Sequence, residues 1–175
     1  MSESVPTVER YPGPRRTATD AERRALASTT RLRILRACMD EPMTNRQIAQ
    51  RLASNPATVL HHVRTLGASG FLAALPARRG SRGAREVPYL ATGKSWYMDV
   101  GAMSRDVRLA TFLEEVAVVG ESRLNSSRIG LRLSEAEWEE FTARLHGLLD
   151  EYAHRPSTPG APRWSVYVGM HPEEA

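Results

Sequence analysis

Apolar residues recur with helical spacing in the first part of the chain. The spacing predicts one helix from Thr19 or Asp20 through the sequence AERRALAS, and a second from about Thr30 to Met39. The Glu-Pro pair at 41–42 ends the second helix, because a residue before proline avoids helical backbone angles. The apolar stripe of this second helix consists of Leu32, Ile34, Leu35, Cys38 and Met39.

The segment MTNRQIAQRL predicts a short third helix. Thr44, followed three residues later by Gln47, matches a capping box, so we expect the helix to begin at Asn45. The helix is about two turns long, and residues 53–54 then form a tight turn. Two short helical segments are therefore expected to lie close together around this turn.

A longer fourth helix is predicted over the sequence NPATVLHHVRTLGAS. Asn55 is a strong N-cap, and Pro56 at the first helical position sacrifices no hydrogen bond. The helix is expected to run to about Ser69, with Gly70 as the glycine that ends it. Its buried stripe is predicted to be Val59, Val63 and Leu66.

After this helix the spacing of apolar residues becomes that of extended chain. FLAALP and EVPYLA predict two strands, and the sequence ARRGSRGAR joins them, so the whole segment is expected to be a β-hairpin with an arginine-rich tip. Pro76 and Pro88 cannot donate a backbone hydrogen bond. Both strands are therefore expected to keep an open edge, as in a two-stranded ribbon.

A helix is predicted from Met98 to about Ser122, and it is apolar over more than one face. A helix of this kind outside a large core is typical of one that packs against a partner molecule. This segment is therefore the candidate for contacts between two copies of the chain.

The last part of the chain predicts a small β-α-β unit. Ser134 and Glu137 form another capping box, which begins an amphipathic helix that reaches about His154. Segments 126–133 and 163–170 have the alternating pattern of strands on either side of this helix.

These elements predict a mainly α protein of the α+β class, built as a winged helix-turn-helix domain with a long dimerisation helix and a β-α-β appendage. The expected order is a flexible N-terminal tail, the winged domain, the dimerisation helix and the appendage. Their predicted bounds are 1–18, 19–98, 99–124 and 125–175.

The net charge of +4 is unevenly distributed along the sequence. Residues 19–100 carry thirteen basic and six acidic side chains, whereas residues 101–175 carry eight basic and twelve acidic ones. A basic excess confined to one block is typical of a domain that binds a polyanion. Nearly all basic residues are arginine, which matches the codon bias of a GC-rich genome, so their position is the informative feature.

The bulk composition points to a globular protein of a reducing cytoplasm. The sequence has 175 residues, 41% of them hydrophobic, with no apolar run approaching a membrane span and no apolar segment of a secretory signal at its start. Cys38 is the single cysteine, so no disulfide can form within the chain. No nucleophile elbow, phosphate-binding glycine loop or zinc-protease motif occurs, so we expect neither an enzyme nor a cofactor.

The stretch STTRLRILRACMDEPMTNRQIAQRLASNPATVLHHVRTLGASGFL resembles ArsR-type winged-helix bacterial transcription regulators. The sequence RRGSRGAREVPYLATGKSW is further similar to a branch of these regulators from high-GC bacteria with an extended C-terminal region. The resemblance covers roughly residues 19–98. It implies a homodimer that binds double-stranded operator DNA and usually represses, with dimer contacts from about 20–28 and 100–122.

The chain departs from the metal-sensing members of that family. Those members carry a Cys-x-Cys pair in the support helix, or Asp and His ligands in the dimer helix. Here the support helix contains no cysteine, and the dimer helix has Asp106 but no histidine. The resemblance therefore does not extend to metal sensing, and an effector, if the protein has one, is an unknown small molecule.

The candidate DNA contacts lie on the support helix, the recognition helix 55–69 and the wing 77–85. Side chains of the recognition helix are expected to meet base edges in the major groove, and the arginines to meet phosphates. The candidate residues are Thr44, Asn45, Arg46, Asn55, Ala57, Thr58, Leu60, His61, Arg64, Arg78, Arg79, Arg82 and Arg85.

The adjacent histidines of this helix point about 100° apart, so we expect different roles for them. His61 lies on the side of Arg64 and is expected to face DNA, whereas His62 borders the buried stripe and is expected to be structural. Neighbours in a helix do not easily bind one metal ion, because that needs a spacing of three or four residues.

Two other classes of function stay open on the sequence alone. One is a winged helix that binds proteins and has lost DNA binding, which an acidic wing would favour. The other is a metal-responsive sensor that uses His146, Asp150 and His154, which share one face of the last helix. Because the apolar stripe lies on the opposite face, we expect those three side chains to be solvated.

Overall fold

The computed structural model describes residues 11, 13–80, 83, 85–158 and 160–173. The chain divides into two compact units, Met1–Val118 and Val119–Ala175. Among the described residues, none of the helices has the length and apolar character that crossing a bilayer requires.

The first unit begins with a short strand and two helices. Strand β1 (Arg16–Thr17) precedes helix α1 (Asp20–Leu26), which starts with a capping box between Thr19 and Glu22. Helix α2 (Thr29–Ala37) is capped by the hydroxyl of Ser28 and ends two residues earlier than predicted. The expectation that Met39 belongs to the apolar stripe is therefore wrong, and its side chain is 43% exposed.

The helix pair follows the predicted pattern closely. Strand β2 (Met43–Thr44) leads into helix α3 (Asn45–Arg51), whose capping box joins Thr44 and Gln47 as predicted. Helix α4 (Pro56–Ala68) begins with Asn55 as its N-cap and Pro56 in its first turn. Local capping chemistry therefore defines where both helices begin.

The hairpin contains more strand pairing than the sequence predicted. Strand β3 (Leu72–Ala74) pairs antiparallel with β6 (Pro88–Ala91), and β4 (Arg78–Arg79) pairs antiparallel with β5 (Arg85–Glu86) nearer the tip. Strand β2 adds to the far side of β6, so β6 is the central strand of three. The prediction that both hairpin strands have an open edge is therefore wrong for the strand that contains Pro88.

The chain leaves the hairpin through a 3-10 turn at Lys94–Tyr97 and enters strand β7 (Met98–Asp99). β7 pairs in parallel with β1, and Ala18 is almost fully buried, so the expectation of a flexible tail through residue 18 is wrong at its end. Helix α5 (Gly101–Val119) starts after β7, not at Met98 as predicted. The carboxylate of Asp99 accepts the backbone N–H of Gly101 at 3.1 Å, which holds this junction.

The second unit contains helix α6 (Glu135–His154), which begins with the predicted capping box between Ser134 and Glu137. In the described part of this unit, segments 124–134 and 161–173 are not paired into a sheet. The β-α-β arrangement expected here is therefore wrong as regards its strands. The alternation of apolar residues is present in both segments, but a strand needs a hydrogen-bonding neighbour and neither segment has one as a ladder.

The core of the first unit is formed where α1, α2, α3 and α4 meet the wing sheet. The largest fully buried side chains are Phe71, Leu26, Ile34, Ile48, Leu66, Val59, Val63 and Cys38.

A buried carboxylate ties the N-terminal strand to the exit of the wing. Glu22 accepts two hydrogen bonds from the Arg16 guanidinium, at 2.7 and 2.8 Å, and lies 2.7 Å from Lys94 Nζ. Hydrogen bonds from Arg16, reinforced by Lys94 and Thr19, hold the pKa of Glu22 well below its ordinary value of 4.5. Because Lys94 also donates to the carbonyl of Ser69 at 2.8 Å, one cluster joins α1, the end of α4 and the 3-10 turn.

We expect Glu22→Gln to lower the free energy of unfolding at pH 7 by about 2 kcal/mol, since it weakens charge-assisted hydrogen bonds at a buried site. The folded-state pKa of Glu22 is depressed, so its contribution is complete above the unfolded pKa and is lost as the pH falls below 4.5. Urea unfolding at several pH values measures both effects. The exposed Glu140→Gln is the matched control, and equal behaviour of the two variants would contradict the role given to Glu22.

Candidate nucleic-acid interface

Helix α4 has one buried face and one open face. Val59, Val63 and Leu66 are almost fully buried against the neighbouring helices α2 and α3. Their spacing leaves the opposite side of the helix in solvent. The exposed candidates on that side are Ala57, Thr58, His61 and Arg64, with Leu60 half-buried beside them.

The turn before α4 fixes the angle at which this helix leaves α3. Ala53 adopts a left-handed conformation, with φ of +49°, which is uncommon for a residue that carries a Cβ. The side-chain amide of Asn45 donates to the carbonyl of Pro56 at 2.9 Å, so the first turns of α3 and α4 are joined directly. Asn55 accepts the N–H of Ala57 at 2.8 Å and caps the helix. The open face of α4 is therefore carried on a braced element.

The structure separates the two histidines as the sequence predicted. His61 is exposed, whereas His62 is half-buried and its Nδ1 lies 3.5 Å from a guanidinium nitrogen of Arg31. Burial, followed by the charge of Arg31 and the neighbouring His61, lowers the pKa of His62. His62 therefore favours the neutral ring and belongs to the packing between α2 and α4.

The wing presents its arginines to solvent. Arg78, Arg79 and Arg85 are exposed, and the pairing of β4 with β5 sets Arg79 directly opposite Arg85. Like charges opposite each other in an antiparallel pair repel, so this arrangement favours a bound anion that neutralises them. Arg78 is paired with Glu86 in the same ladder. Arg82, the remaining candidate of the wing, lies outside the described residues.

The support-helix candidates are not equally placed. Thr44 is a correction: its side chain is only 3% exposed and its hydroxyl accepts the N–H of Gln47, so it caps α3 and presents no surface to a ligand. Asn45 is half-buried and its amide is engaged with Pro56. Arg46 is exposed at the start of α3. The surface available to a polyanion is thus formed mainly by α4 and the wing.

A family profile described as a helix-turn-helix domain matches residues 26–73, which extend from the end of α1 through α4 into β3. The chain contains a helix-turn-helix domain. The sheet that follows α4 makes it the winged type, and the resemblance drawn from the sequence is confirmed at the level of this domain, which is that of DNA-binding transcriptional regulators. No curated protein matches the chain.

Several solved structures are similar to this chain at low identity. HlyU from Vibrio cholerae N16961 is 19% identical, with a TM-score of 0.34, and the match covers 51% of this chain and 81% of that one. The homodimeric winged helix-turn-helix domain Mb0332 from Mycobacterium bovis is 22% identical, with a TM-score of 0.36 and coverage of 62% and 82%. MepR from S. aureus bound to an oligodeoxyribonucleotide is 18% identical, with a TM-score of 0.34 and coverage of 71% and 78%. The assignment of the domain depends on the elements of this chain and on the family match.

The other polar candidates lie outside the helix-turn-helix surface. Cys38 is buried, and burial raises the pKa of its thiol to about 12, so the sulfur stays protonated. His154 Nδ1 lies 2.6 Å from the carbonyl of Asp150 in its own helix, and His146 is exposed two turns earlier. In the part of the chain that the structure describes, no three His, Cys, Asp or Glu side chains are placed to hold a metal ion.

Sequence reasoning missed the residues that brace the helix-turn-helix domain from outside it. Arg31 donates to the carbonyls of Ala25 and Arg24, at 2.6 and 2.7 Å, before reaching His62. Lys94 and Glu22 connect elements more than seventy residues apart. The one available signal was that Lys94 is the single lysine of a chain that otherwise uses arginine.

Proposed function

We propose that this protein is a transcriptional regulator that binds a pseudo-palindromic operator as a homodimer, through α4 and the wing. The observation that carries the proposal is the placement of polar and basic side chains on the open face of α4 and on the wing of one helix-turn-helix domain. Residues 19–98 form its DNA-binding part, α5 its dimerisation helix and residues 125–175 an appendage.

Helix α4 is the element with the shape and side chains for the major groove. A single helix fits this groove, whose base edges present distinct donors and acceptors. His61 is placed to donate or accept at a base edge, and Ala57 and Thr58 are small enough for close approach or contact with a thymine methyl. Arg64, one turn beyond His61, reaches toward a phosphate.

The wing supplies the electrostatic part of binding. The opposed Arg79 and Arg85 concentrate positive charge at one position of the hairpin. A phosphate between them replaces repulsion by two charge-assisted hydrogen bonds. This contact is independent of base sequence, so it adds affinity and orients α4 in its groove.

Dimer formation follows from the surface of α5. Leu109 and Leu113 are one helical turn apart and both are exposed, which is the pattern of a helix that packs against a second copy. Two copies related by a two-fold axis present two α4 helices to successive major grooves on one side of the duplex. A dimer seated on an operator within a promoter excludes the polymerase, so we propose repression as its action.

We expect His61→Ala and Arg64→Ala each to weaken operator binding by about tenfold, because each removes a contact from the exposed face of α4. Both side chains are solvent-exposed, so the variants should unfold at the wild-type temperature. Mobility-shift titration on DNA selected by the wild-type protein gives the affinities, and thermal unfolding confirms the fold.

His146→Ala on α6 is the matched control for His61, since it removes another exposed histidine from a helix of the same chain. Wild-type affinity in both α4 variants would exclude this face of the helix from the interface.

We expect the double variant Arg79→Ala, Arg85→Ala to reduce the slope of log K against log salt by about 1 to 2, because each arginine that neutralises a phosphate contributes about 1 to that slope. Binding should weaken similarly on specific and nonspecific DNA, because phosphate contacts carry no base information. Arg144→Ala and Arg155→Ala on the second unit together form the control. An unchanged slope in the wing variant would remove the wing from the interface.

A further inference from the structure

Helix α6 carries an apolar stripe that its own unit leaves open. None of its twenty residues is buried, although Trp138, Leu148 and Tyr152 are all on the stripe. Burying such side chains is the main favourable term in the packing of an amphipathic helix. A surface of this kind is expected to be covered in the assembled protein.

The stripe forms one wall of a groove of about 690 Å³. The opposite wall is segment 129–133, which contributes every second residue, as extended chain does. Glu137, Glu140 and Arg144 form the polar rim of the groove. Its apolar lining consists of Ile129, Leu131, Leu133, Phe141, Leu145 and Leu148.

The same unit also carries an apolar ridge of matching character, the segment 163–170. Its alternate residues Trp164, Val166, Val168 and Met170 are all exposed, Trp164 by 78% and Val166 by 71%. An extended segment with apolar residues on one side is the shape that enters a groove between a helix and another extended segment.

The ridge of a given chain does not occupy the groove of the same chain. Its four alternate side chains are exposed. The chain beyond the ridge passes the other side of segment 129–133, because the Glu173 carboxylate lies 3.8 Å from the position of a Cβ on Gly130. Gly130 alternates with the groove-lining Ile129 and Leu131, so this approach is from the opposite face.

We propose that the ridge 163–170 of one copy docks in the groove between α6 and segment 129–133 of a second copy. The exchange is reciprocal, so two copies satisfy each other and the assembly closes at a dimer. It rests on the proposed homodimer: α5 ends at Val119, directly before the second unit, so a dimer made through α5 holds two second units at high effective concentration.

Charge favours a second copy over an unrelated partner. Helix α6 carries six acidic side chains and a single arginine, whereas residues 122–133 and 155–172 carry five arginines and no acid. A copy of this unit therefore presents a basic ridge to an acidic groove rim, and the same complementarity holds in the reverse direction.

The test is disulfide trapping in the full-length protein. Leu148→Cys places a thiol in the groove and Val166→Cys places one on the ridge, while the native Cys38 is buried and does not compete. After mild oxidation of the double variant, we expect a covalent dimer on a non-reducing gel. A mixture of the two single variants should give the same dimer, and each single variant alone should give none.

An intrachain disulfide in the double variant, seen as a monomer without free thiols, would show that the ridge fills its own groove and would overturn the proposal. The absence of any disulfide would also overturn it and leave the groove to another occupant. As a second measurement, Trp164→Arg should raise the dimer dissociation constant by at least about tenfold, since it removes the largest side chain of the ridge.

These outcomes are separable from failure of the proposed function. A protein that dimerises and binds operator DNA without the disulfide refutes the docking alone. A protein that is monomeric in sedimentation and retards no selected DNA refutes the proposed regulator itself.

Discussion

The burial of one face of α4 is the constraint on which the rest of the interface depends. Val59, Val63 and Leu66 have almost no exposed surface, so the helix can neither rotate nor slide without removing apolar side chains from the core. With that face fixed, the side of the helix that bears His61 and Arg64 must point to solvent. The open face is thus set by packing, and the polar chemistry on it is free to vary without cost to the fold.

Much of the first unit is predictable because its signals are local. The capping boxes at Thr19 and Thr44, the N-cap Asn55 and the Arg/Gly-rich hairpin tip are each read from a few consecutive residues, and each lies where the pattern places it. The orientation of His61 and His62 also follows from helical spacing alone. The parts that were missed are pairings between distant segments. β1 with β7, β2 with β6, and the cluster of Glu22 with Lys94 leave no trace in any short window.

The errors in the second unit have a different physical origin. Alternation of apolar residues in 126–133 and 163–170 correctly indicates extended chain with one apolar side, but period alone does not supply a neighbouring strand. Thr44 illustrates the same limit at a single residue: its hydroxyl was free to bind DNA or to cap α3, and burial decides for the cap. The two units also differ in charge, which fits a basic interface in one and association between acidic helices and basic flanking segments in the other.

Selection of bound sequences from a library of random duplex DNA by the full-length protein tests the central claim most directly. The account predicts enrichment of a motif with two half-sites related by a dyad, their centres about 10 base pairs apart, because two α4 helices of a two-fold dimer enter successive major grooves. Recovery of sequences no different from the starting library would contradict the claim that this helix-turn-helix domain reads DNA.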